Sequence, residues 1–356
     1  MSHLDNPYPG KRLELFWHDI SSLESNHNQG TVLGKLESIQ RNVRKTRMLD
    51  TRQLRYFAAI FEHGSLNRAA EELRVAASAL SHHLNQLEGQ LDTQLFRRKP
   101  RGMEPTAAGL RLYEHARSIL KAIEAAQTDL RNSERRIAGQ VAVGMSYSGV
   151  KAIGLDLLST VLRDYPAVRL VLSESLSGAA LPLLLASDVD MALIYNPPVD
   201  ATLRIQPVLE ETMVCVGRPE IIGDTDAPIT FAELLELPII LVRQGVSARA
   251  IMDDMTLLKK IEARAILQMN SVQAIGGAVE AGLGCVIGTQ LFMQEQLDRG
   301  TVRARPIVSP TLSRTLYLCN LASRPPTYAT EAICELVLEL VQRAVREGRW
   351  NAQLLL

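Results

Sequence analysis

Apolar side chains first recur with a helical period just after residue 50. The pattern predicts an amphipathic helix that begins near Thr51 and ends near Gly64. Ser65 suits the N-cap of a second, shorter helix, and a break at residues 74–76 leads to a third. The apolar positions that define the three helices are Leu54, Phe57, Ala58 and Phe61, then Leu66, Ala69, Ala70 and Leu73, and finally Leu80, Leu84, Leu87 and Leu91. Two short helices joined by a tight turn, the second with a small polar face, predict a helix-turn-helix.

A basic segment and a long helix follow. Pro100 and Gly102 predict a turn between two short extended arms, which is typical of a winged helix-turn-helix. Thr106 then caps a helix predicted over residues 107–137, about 45 Å long at 1.5 Å per residue. A single apolar stripe on so long a helix needs a partner, most simply the same helix of a second copy. The stripe consists of Leu112, Ala116, Ile119, Ile123, Ala126 and Leu130.

Beyond Gly139, short β-rich segments alternate with helical ones. This alternation predicts an α/β fold with mostly parallel sheets, and about 210 residues are enough for two lobes. We expect the chain to enter the second lobe near residues 208–216 and to return near residue 316. The predicted strands are 141–143, 169–172, 191–194, 208–216, 239–242, 285–287 and 315–318, and the predicted helices are 153–162, 179–186 and 330–346.

The expected domain organisation follows from these elements. We expect a winged helix-turn-helix over 48–106, a linker and dimerisation helix over 107–138, and a two-lobed α/β domain over 139–348, which the resemblance described below implies to be the effector-binding domain. Within that domain we expect lobe I at about 139–208 and 315–348 and lobe II at about 209–314. Residues 1–47 show no sustained period and are expected to be a poorly ordered extension. Because Met48 directly precedes the first periodic segment, they are alternatively an upstream extension of the reading frame.

Composition narrows the class of protein. The 356 residues are 46% apolar with a net charge of zero, which is typical of a soluble globular protein. No apolar segment reaches the roughly 20 residues of a membrane span, and we expect no secretory signal. Four widely spaced cysteines predict reduced thiols and a cytoplasmic location. The first 137 residues carry a small excess of basic groups and the remainder an excess of acidic ones, which favours a nucleic-acid-binding head.

Several motifs resemble those of the LysR-type transcriptional regulators. In the head they are DTRQLRYF (50–57), GSLNRAA (64–70), ALS (79–81), LE (87–88), LFRR (95–98) and PTAAG (105–109). In the body, YP (165–166), DMALI (190–194) and AGLG (281–284) are similar to the effector domain of that family. The resemblance covers about residues 50–345, and the head is most similar to the nitrogen assimilation control branch.

The resemblance implies both an architecture and a function. Members combine a winged helix-turn-helix, a linker helix that pairs dimers, and a domain like the periplasmic binding proteins with a ligand cleft between two lobes. They commonly act as homodimers or homotetramers that bend double-stranded promoter DNA and change that bend when a small metabolite binds. An activator of this kind also contacts RNA polymerase.

The candidate DNA-binding residues lie on the second and third helices and in the wing. The N-terminal turn of the third helix is expected to meet base edges in the major groove, and wing cations are expected to meet phosphate. The sequence departs from the family at two places: Ala77-Ser78 replaces the frequent Gln-Pro, and His82 replaces a common Arg. We therefore expect fewer bidentate hydrogen bonds to base edges. The alternative is a solvated polar face. The candidates are Ser65, Asn67, Arg68, Ala77, Ser78, Ser81, His82, Asn85, Arg97, Arg98 and Arg101, with Lys99 beside them.

The candidate effector-binding residues lie where strands meet helices. Ligands of α/β proteins bind at strand ends, and free N–H groups at helix N-termini attract anions. Ordinary N-capping explains any single serine equally well. The candidates are Ser146, Ser148, Ser175, Ser177, Tyr195, Gln244, Gly245, Asn270 and Ser271, and together they favour a small polar or anionic metabolite.

Motifs of catalysis are missing from the sequence. Residues 144–148 lack the last glycine of GxSxG, residues 282–287 lack the last glycine of GxGxxG, and neither a P-loop nor a Cys/His metal spacing occurs. Adjacent His82 and His83 point about 100° apart on a helix, which suits them poorly to one metal. We therefore expect no enzyme, cofactor or metal. Two alternatives stay open: a two-lobed small-molecule-binding protein or enzyme with a non-functional head, and a constitutive regulator with an empty cleft.

Overall fold

The structure is a computed structural model that describes residues 49–100, 102–131, 137–175, 180–242 and 254–356. The chain divides into two compact units, one ending at Gln94 and the other beginning at Leu95. The expectations for residues 1–47 lie outside the described residues. Among the residues described, no helix combines the length and apolar character needed to cross a membrane.

Three helices that pack against one another make up the described part of the first unit. Asp50 and Gln53 form a capping box at the first helix, and Gly64 ends that helix in the left-handed conformation at φ 58°. Ser65 caps the second helix through the Arg68 N–H, as predicted. The helices are α1 (Thr51–His63), α2 (Leu66–Leu73) and α3 (Ala77–Leu91).

The three predicted helices are thus confirmed, with one correction to their apolar face. The α3 side chains Leu80, Leu84 and Leu87 are buried, but Leu91 is 37% exposed. Leu91 is the last residue of α3, where the helix ends.

The second unit begins with a hairpin and a long helix. The hairpin strands pair antiparallel, with Phe96 opposite Pro105 and Lys99 opposite Gly102. Both the N–H and the hydroxyl of Thr106 donate to the Leu95 carbonyl oxygen, at 2.9 and 3.2 Å, and the Thr106 hydroxyl accepts from Gly109 N at 3.0 Å. The elements are β1 (Phe96–Lys99), β2 (Gly102–Pro105) and α4 (Ala107–Arg131).

Two six-stranded sheets form the rest of the second unit. We call the first sheet and its helices lobe I and the second sheet and its helices lobe II. Lobe I contains β3 (Gly139–Ser146), β4 (Val168–Ser175), β5 (Met191–Tyr195), β6 (Leu203–Thr212), β13 (Ser313–Leu321) and β14 (Gln353–Leu354), in the order β14-β6-β13-β5-β3-β4. Lobe II contains β7 (Val214–Gly217), β8 (Ile229–Thr230), β9 (Ile239–Val242), β10 (Ala265–Met269), β11 (Cys285–Gly288) and β12 (Arg303–Val308), in the order β10-β9-β11-β7-β12-β8.

The prediction of mostly parallel sheets is wrong, because antiparallel pairs are as frequent as parallel ones. The chain leaves lobe I along β6 and returns along β13, and these neighbouring strands run in opposite directions. In lobe II the same holds for β7 and β12. The single strand predicted over 208–216 is also wrong, since β6 ends before Met213 and β7 belongs to the other sheet.

Helices cover both sheets and enclose their cores. In lobe I a continuous helical segment follows β3, with a π-helical turn over Val150–Gly154 in its middle. The closing helix α13 (Tyr328–Arg346) packs its apolar face, including Ile333 and Val337, on the buried side chains of β3 and β5. The helices are α5 (Tyr147–Gly149), α6 (Leu155–Asp164), α7 (Ala180–Leu185), α8 (Pro219–Ile222), α9 (Phe231–Leu234), α10 (Met255–Arg264), α11 (Val272–Glu280), α12 (Gln294–Asp298) and α13 (Tyr328–Arg346), with a 3-10 turn at Gln290–Met293.

Candidate DNA-binding helix and effector cleft

The exposed face of α3 carries short polar side chains. Ser78, His82 and Asn85 are exposed, while Ala77 and Ser81 are half-buried. Ala76 precedes α3 without a side-chain cap, so its own side chain leaves the N–H groups of the first turn open. The face therefore offers hydroxyl, imidazole and amide groups together with uncapped N–H groups, all of which can pair with base edges or phosphate oxygens.

The two adjacent histidines of α3 have different surroundings. The ring of His83 is half-buried and meets Tyr56 of α1 edge-to-face, with 5.1 Å between the ring centroids. His82 is exposed to solvent. Only His82 of the pair is therefore placed to meet a partner outside the protein.

The candidates at the start of α2 divide into structural and exposed groups. The Ser65 hydroxyl accepts from the Arg68 N–H at 3.5 Å, so its observed role is that of an N-cap. Asn67 and Arg68 are exposed, and the Arg68 guanidinium donates to the His63 carbonyl oxygen. This contact holds the Arg68 cation beside the junction of α1 and α2.

The hairpin β1–β2 presents cations to solvent. Arg97, Arg98 and Lys99 are all exposed, and Lys99 Nζ lies 3.4 Å from a Glu104 carboxylate oxygen across the hairpin. Arg101 lies outside the described residues. Exposed guanidinium groups on a short hairpin are suited to contact a phosphate backbone.

A cavity of about 820 Å³ lies between the two lobes. Two contacts join the lobes beside this cavity. Lys151 Nζ of lobe I lies 3.3 Å from Glu295 Oε1 of lobe II, and the rings of Tyr147 and Phe292 meet with their centroids 6.0 Å apart. The described lining is Tyr147, Glu174, Ser175, Asn270, Val272, Gln273, Gly277, Glu280, Phe292, Met293, Glu295, Gln296 and Arg299.

Two of the nine predicted effector residues, Ser175 and Asn270, line this cleft. Ser146 is buried and its hydroxyl caps α5 by accepting from Gly149 N, and the Ser271 hydroxyl caps α11 in the same way at Ala274 N. Ser148 is also buried. Ser177, Gln244 and Gly245 lie outside the described residues.

Tyr195, the remaining predicted effector residue, is buried beside an ion pair. The Arg314 guanidinium lies over its ring, and burial raises the pKa of Tyr195 well above its usual range. The ring therefore acts as a packing partner for a buried cation in this structure.

The cleft residues that the sequence analysis missed include three glutamates and two aromatic residues. Glu280 accepts from Thr301 Oγ1 at 2.9 Å and from Arg299 at 3.3 Å, which fixes its carboxylate at the edge of the cleft. Tyr147 lies between the candidates Ser146 and Ser148 in the sequence. Its position directly after β3 is therefore the signal that could have identified it as a cleft residue. Among the described residues, no group of His, Cys, Asp or Glu side chains is arranged to hold a metal ion.

Comparison with known proteins links both parts of the chain to one family. Residues 51–110 match the model described as "Bacterial regulatory helix-turn-helix protein, lysR family", and residues 134–342 match "LysR substrate binding domain". The nitrogen assimilation regulatory protein nac of Klebsiella aerogenes is 32% identical over 302 residues, which cover 85% of this chain and 98% of nac.

Solved structures show the same fold. A full-length OxyR variant from Pseudomonas aeruginosa matches with a TM-score of 0.60 at 18% identity, over 83% of this chain and 95% of that one. Full-length CbnR complexed with its target DNA matches with a TM-score of 0.56 at 21% identity, over 83% of this chain and 100% of CbnR. The family matches do not favour the alternative of a binding protein or enzyme with a non-functional head.

Proposed function

This chain belongs to the LysR family of DNA-binding transcriptional regulators, and from that premise we propose how its own residues carry out the function. The family pairs a helix-turn-helix with an effector-binding domain. We propose that α3 reads double-stranded promoter DNA and that a small metabolite in the cleft between lobes I and II regulates the DNA complex.

The exposed polar face of α3 is the observation that supports DNA recognition most directly. Asn85 suits adenine, because its amide can donate and accept together, whereas Ser78 and His82 each supply fewer directed bonds. Each good bidentate contact with a base contributes about 1–3 kcal/mol of discrimination. We therefore propose a readout centred on Asn85 and His82, with fewer bidentate contacts than an arginine-bearing helix would make.

Arginines at positions 97, 98 and 101 supply the part of the DNA affinity that does not depend on the base sequence. We propose that Arg97, Arg98 and Arg101 contact phosphate, with Arg68 as a further candidate. Each neutralised phosphate releases counterions, so affinity falls steeply as salt increases.

The chemistry of the cleft restricts the effector. Its described lining carries the carboxylates of Glu174, Glu280 and Glu295 together with the Arg299 guanidinium and the Asn270 amide. An effector that fits there needs hydrogen-bond donors, such as an amine or hydroxyl, to meet the carboxylates. The nine sequence candidates together favour a small polar or anionic metabolite, and we propose that class of effector for the cleft.

Two exposed apolar faces support assembly into a homodimer or homotetramer. One is the stripe of α4, where Ile119 and Leu130 are exposed, and the other is α6 of lobe I, where Leu155 and Leu162 are exposed. Isolated exposed apolar residues are common, but rows of them on one helix mark interaction sites. A second copy covers both faces most simply.

The effector would act by shifting an equilibrium between two DNA-bound geometries. It changes DNA affinity only by the difference in its own affinity for the two states. In an activator, the altered geometry would also present the protein to RNA polymerase. DNase protection that stays the same with every metabolite that binds the cleft would contradict this mechanism.

The first experiment is a binding titration of the full chain with the DNA upstream of its own gene, between about 50 and 200 mM salt. We expect binding with a steep salt dependence, and Arg98→Ala should weaken it and reduce the slope by about one. Arg264→Ala, an exposed arginine of lobe II, is the matched control and should change neither. A folded protein that binds neither this DNA nor any genomic fragment would contradict the proposal.

A further inference from the structure

A second cavity, of about 370 Å³, lies in lobe I. It is formed by β6, β13, the start of α13 and the turn before β5, and it shares no described residue with the cleft between the lobes. Its volume is within the range of about 300–1,000 Å³ found for small-molecule sites. We call this cavity the lobe I groove.

One wall of the lobe I groove carries two carboxylates. Glu331 and Glu335 stand one turn apart on α13, and neither has an ion-pair partner among the residues that the structure describes. Like charges at this spacing repel each other and destabilise a helix. A cation between the two carboxylates would remove that repulsion.

The β6 wall of the lobe I groove carries a cation. The guanidinium of Arg204 donates to the Ala322 carbonyl oxygen at 3.2 Å, and within the described residues it has no carboxylate partner. Its remaining N–H groups can hold a carboxylate in a forked geometry. Between the charged walls, Leu318, Pro326 and Leu338 provide apolar surface.

We propose that the lobe I groove binds a small zwitterion with an apolar body, of the chemical class of the apolar α-amino acids. Its ammonium group would lie between Glu331 and Glu335, its carboxylate would pair with Arg204, and its side chain would cover Leu318 and Leu338. Both charges are needed, because either one alone would leave one wall of the groove unpaired.

The turn at residues 187–190 connects this site to the linker helix α4. Asp190 lines the groove, where its carboxylate lies 2.7 Å from Arg324 Nη1 and accepts from Ala142 N at 2.8 Å. In the same turn, Asp188 pairs with Arg117 of α4, and the Ser187 carbonyl oxygen accepts from Lys121 of α4.

Val189 and Asp190 of this turn line the lobe I groove, so a ligand that fills the groove lies beside the turn that contacts α4. Burial lowers the pKa of Lys121, in agreement with an enclosed contact. Because α4 follows the wing directly in the chain, the bound zwitterion would alter the DNA complex, and this second step rests on the proposed function.

The site itself is tested by calorimetric titration of the full chain without DNA. L-leucine and L-methionine are the probes, and 4-methylpentanoate and L-leucinamide each lack one of the two charges. We expect an amino acid to bind and both single-charge analogues to bind at least tenfold more weakly. Failure of both amino acids to bind, or equal binding of the analogues, would overturn the proposal.

Variants distinguish the lobe I groove from the cleft. Binding should be lost in Glu331→Gln/Glu335→Gln and in Arg204→Gln, while Glu339→Gln, on the next turn of α13 and outside the groove, should bind normally. Thermal unfolding of each variant checks that it is folded. If Asn270→Ala in the cleft abolishes binding and the groove variants do not, the ligand binds the cleft and the proposal is wrong.

The connection to α4 needs a separate measurement. Arg117→Gln should keep the amino-acid affinity but lose the effect of the amino acid on DNA affinity. If the unmodified protein binds both the amino acid and DNA but neither affects the other, the connection is refuted and the site stands. If the unmodified protein binds the amino acid but binds no DNA, the proposed function is refuted and the site stands.

Discussion

The guanidinium of Arg314 lies over the ring of Tyr195, with 3.7 Å between Cζ and the ring centroid. The same guanidinium pairs with Glu211, with Nε and Nη2 at 3.0 and 2.9 Å from Oε2, and Trp350 Nε1 donates to the other oxygen at 2.6 Å. All four side chains are buried. Glu211 is near the end of β6 and Arg314 near the start of β13, so this network joins the two strands through which the chain leaves and re-enters lobe I.

Glu211→Gln should strongly destabilise the protein. Burial alone lowers the pKa of Arg314, but Tyr195 and Glu211 together raise it above its usual value, so the guanidinium stays charged. Removing the carboxylate leaves that charge buried without a partner, which costs about 3–5 kcal/mol in the free energy of unfolding. Urea unfolding of the full chain measures the change.

A matched surface variant and a double variant provide the controls. Arg303→Gln removes exposed ion pairs with Asp224 and Asp226 and should cost less than about 1 kcal/mol. Glu211→Met combined with Arg314→Met should cost less than the two single changes added together. Equal losses in Glu211→Gln and Arg303→Gln would show that the buried pair has no special role.

Adjacent histidines of α3 should respond differently to substitution. His82→Ala removes an exposed side chain that can make a single hydrogen bond, so we expect weaker binding to operator DNA by about 0.5–1.5 kcal/mol with an unchanged melting temperature. His83→Ala removes the ring that meets Tyr56 and should lower stability by about 0.5–1.5 kcal/mol. DNA titrations and thermal unfolding of both variants separate the effects, and unchanged DNA affinity in His82→Ala would exclude that residue from the readout.

Local patterns in the sequence predict the elements, but contacts between distant segments determine the site. The period of Leu80, Leu84 and Leu87 predicts α3, because burial on a helix recurs every three to four residues. Lys151 and Glu295 meet across the lobes although 144 positions separate them, and neither has a local signal. Ser146 and Ser271 have the local signal of a ligand site and serve as N-caps, since a hydroxyl before a helix suits both purposes.

Gly109 should tolerate no side chain. A Cβ at this position would collide with the carbonyl oxygen of Leu95, the atom to which Thr106 donates. Gly109→Ala must therefore displace the start of α4 from the backbone before β1, and we expect a loss of about 1–3 kcal/mol. Gly89→Ala on α3 is the control, because a Cβ there meets open space and should gain up to about 1 kcal/mol through helix propensity. Urea unfolding tests both, and equal stability of the two variants would contradict this packing.

The cysteines should be nearly inert to alkylation at pH 8. Burial raises the pKa of Cys319 to about 12 and that of Cys334 to about 11, and a hydrogen bond with Cys285 followed by burial raises that of Cys215 well above its usual range. At pH 8 about 0.1% of Cys334 is thiolate, against roughly a quarter of a free cysteine with a pKa of about 8.5. Its iodoacetamide labelling should rise about tenfold per pH unit up to pH 11 and become fast in urea. Rapid labelling of Cys334 in the folded protein at pH 8 would contradict this environment.

Leu162→Glu should weaken self-association. Leu155 and Leu162 of α6 are 77% and 80% exposed, with Leu158 of the same helix and Val171 of β4 as further exposed apolar positions. A carboxylate in the centre of such a face would have to be buried without a partner on assembly, which is strongly unfavourable. Sedimentation velocity of the full chain should therefore show a smaller species.

The control for this change is Val199→Glu, because Val199 is 95% exposed and stands outside helices and strands. It should leave the sedimentation coefficient unchanged. Leu130 of α4 is 82% exposed, so Leu130→Glu tests the second face independently. If Leu162→Glu and Leu130→Glu each halve the mass of the assembly and their combination gives a monomer, both faces are used and the unmodified protein is a tetramer. If neither change alters the mass, neither face joins copies of the chain.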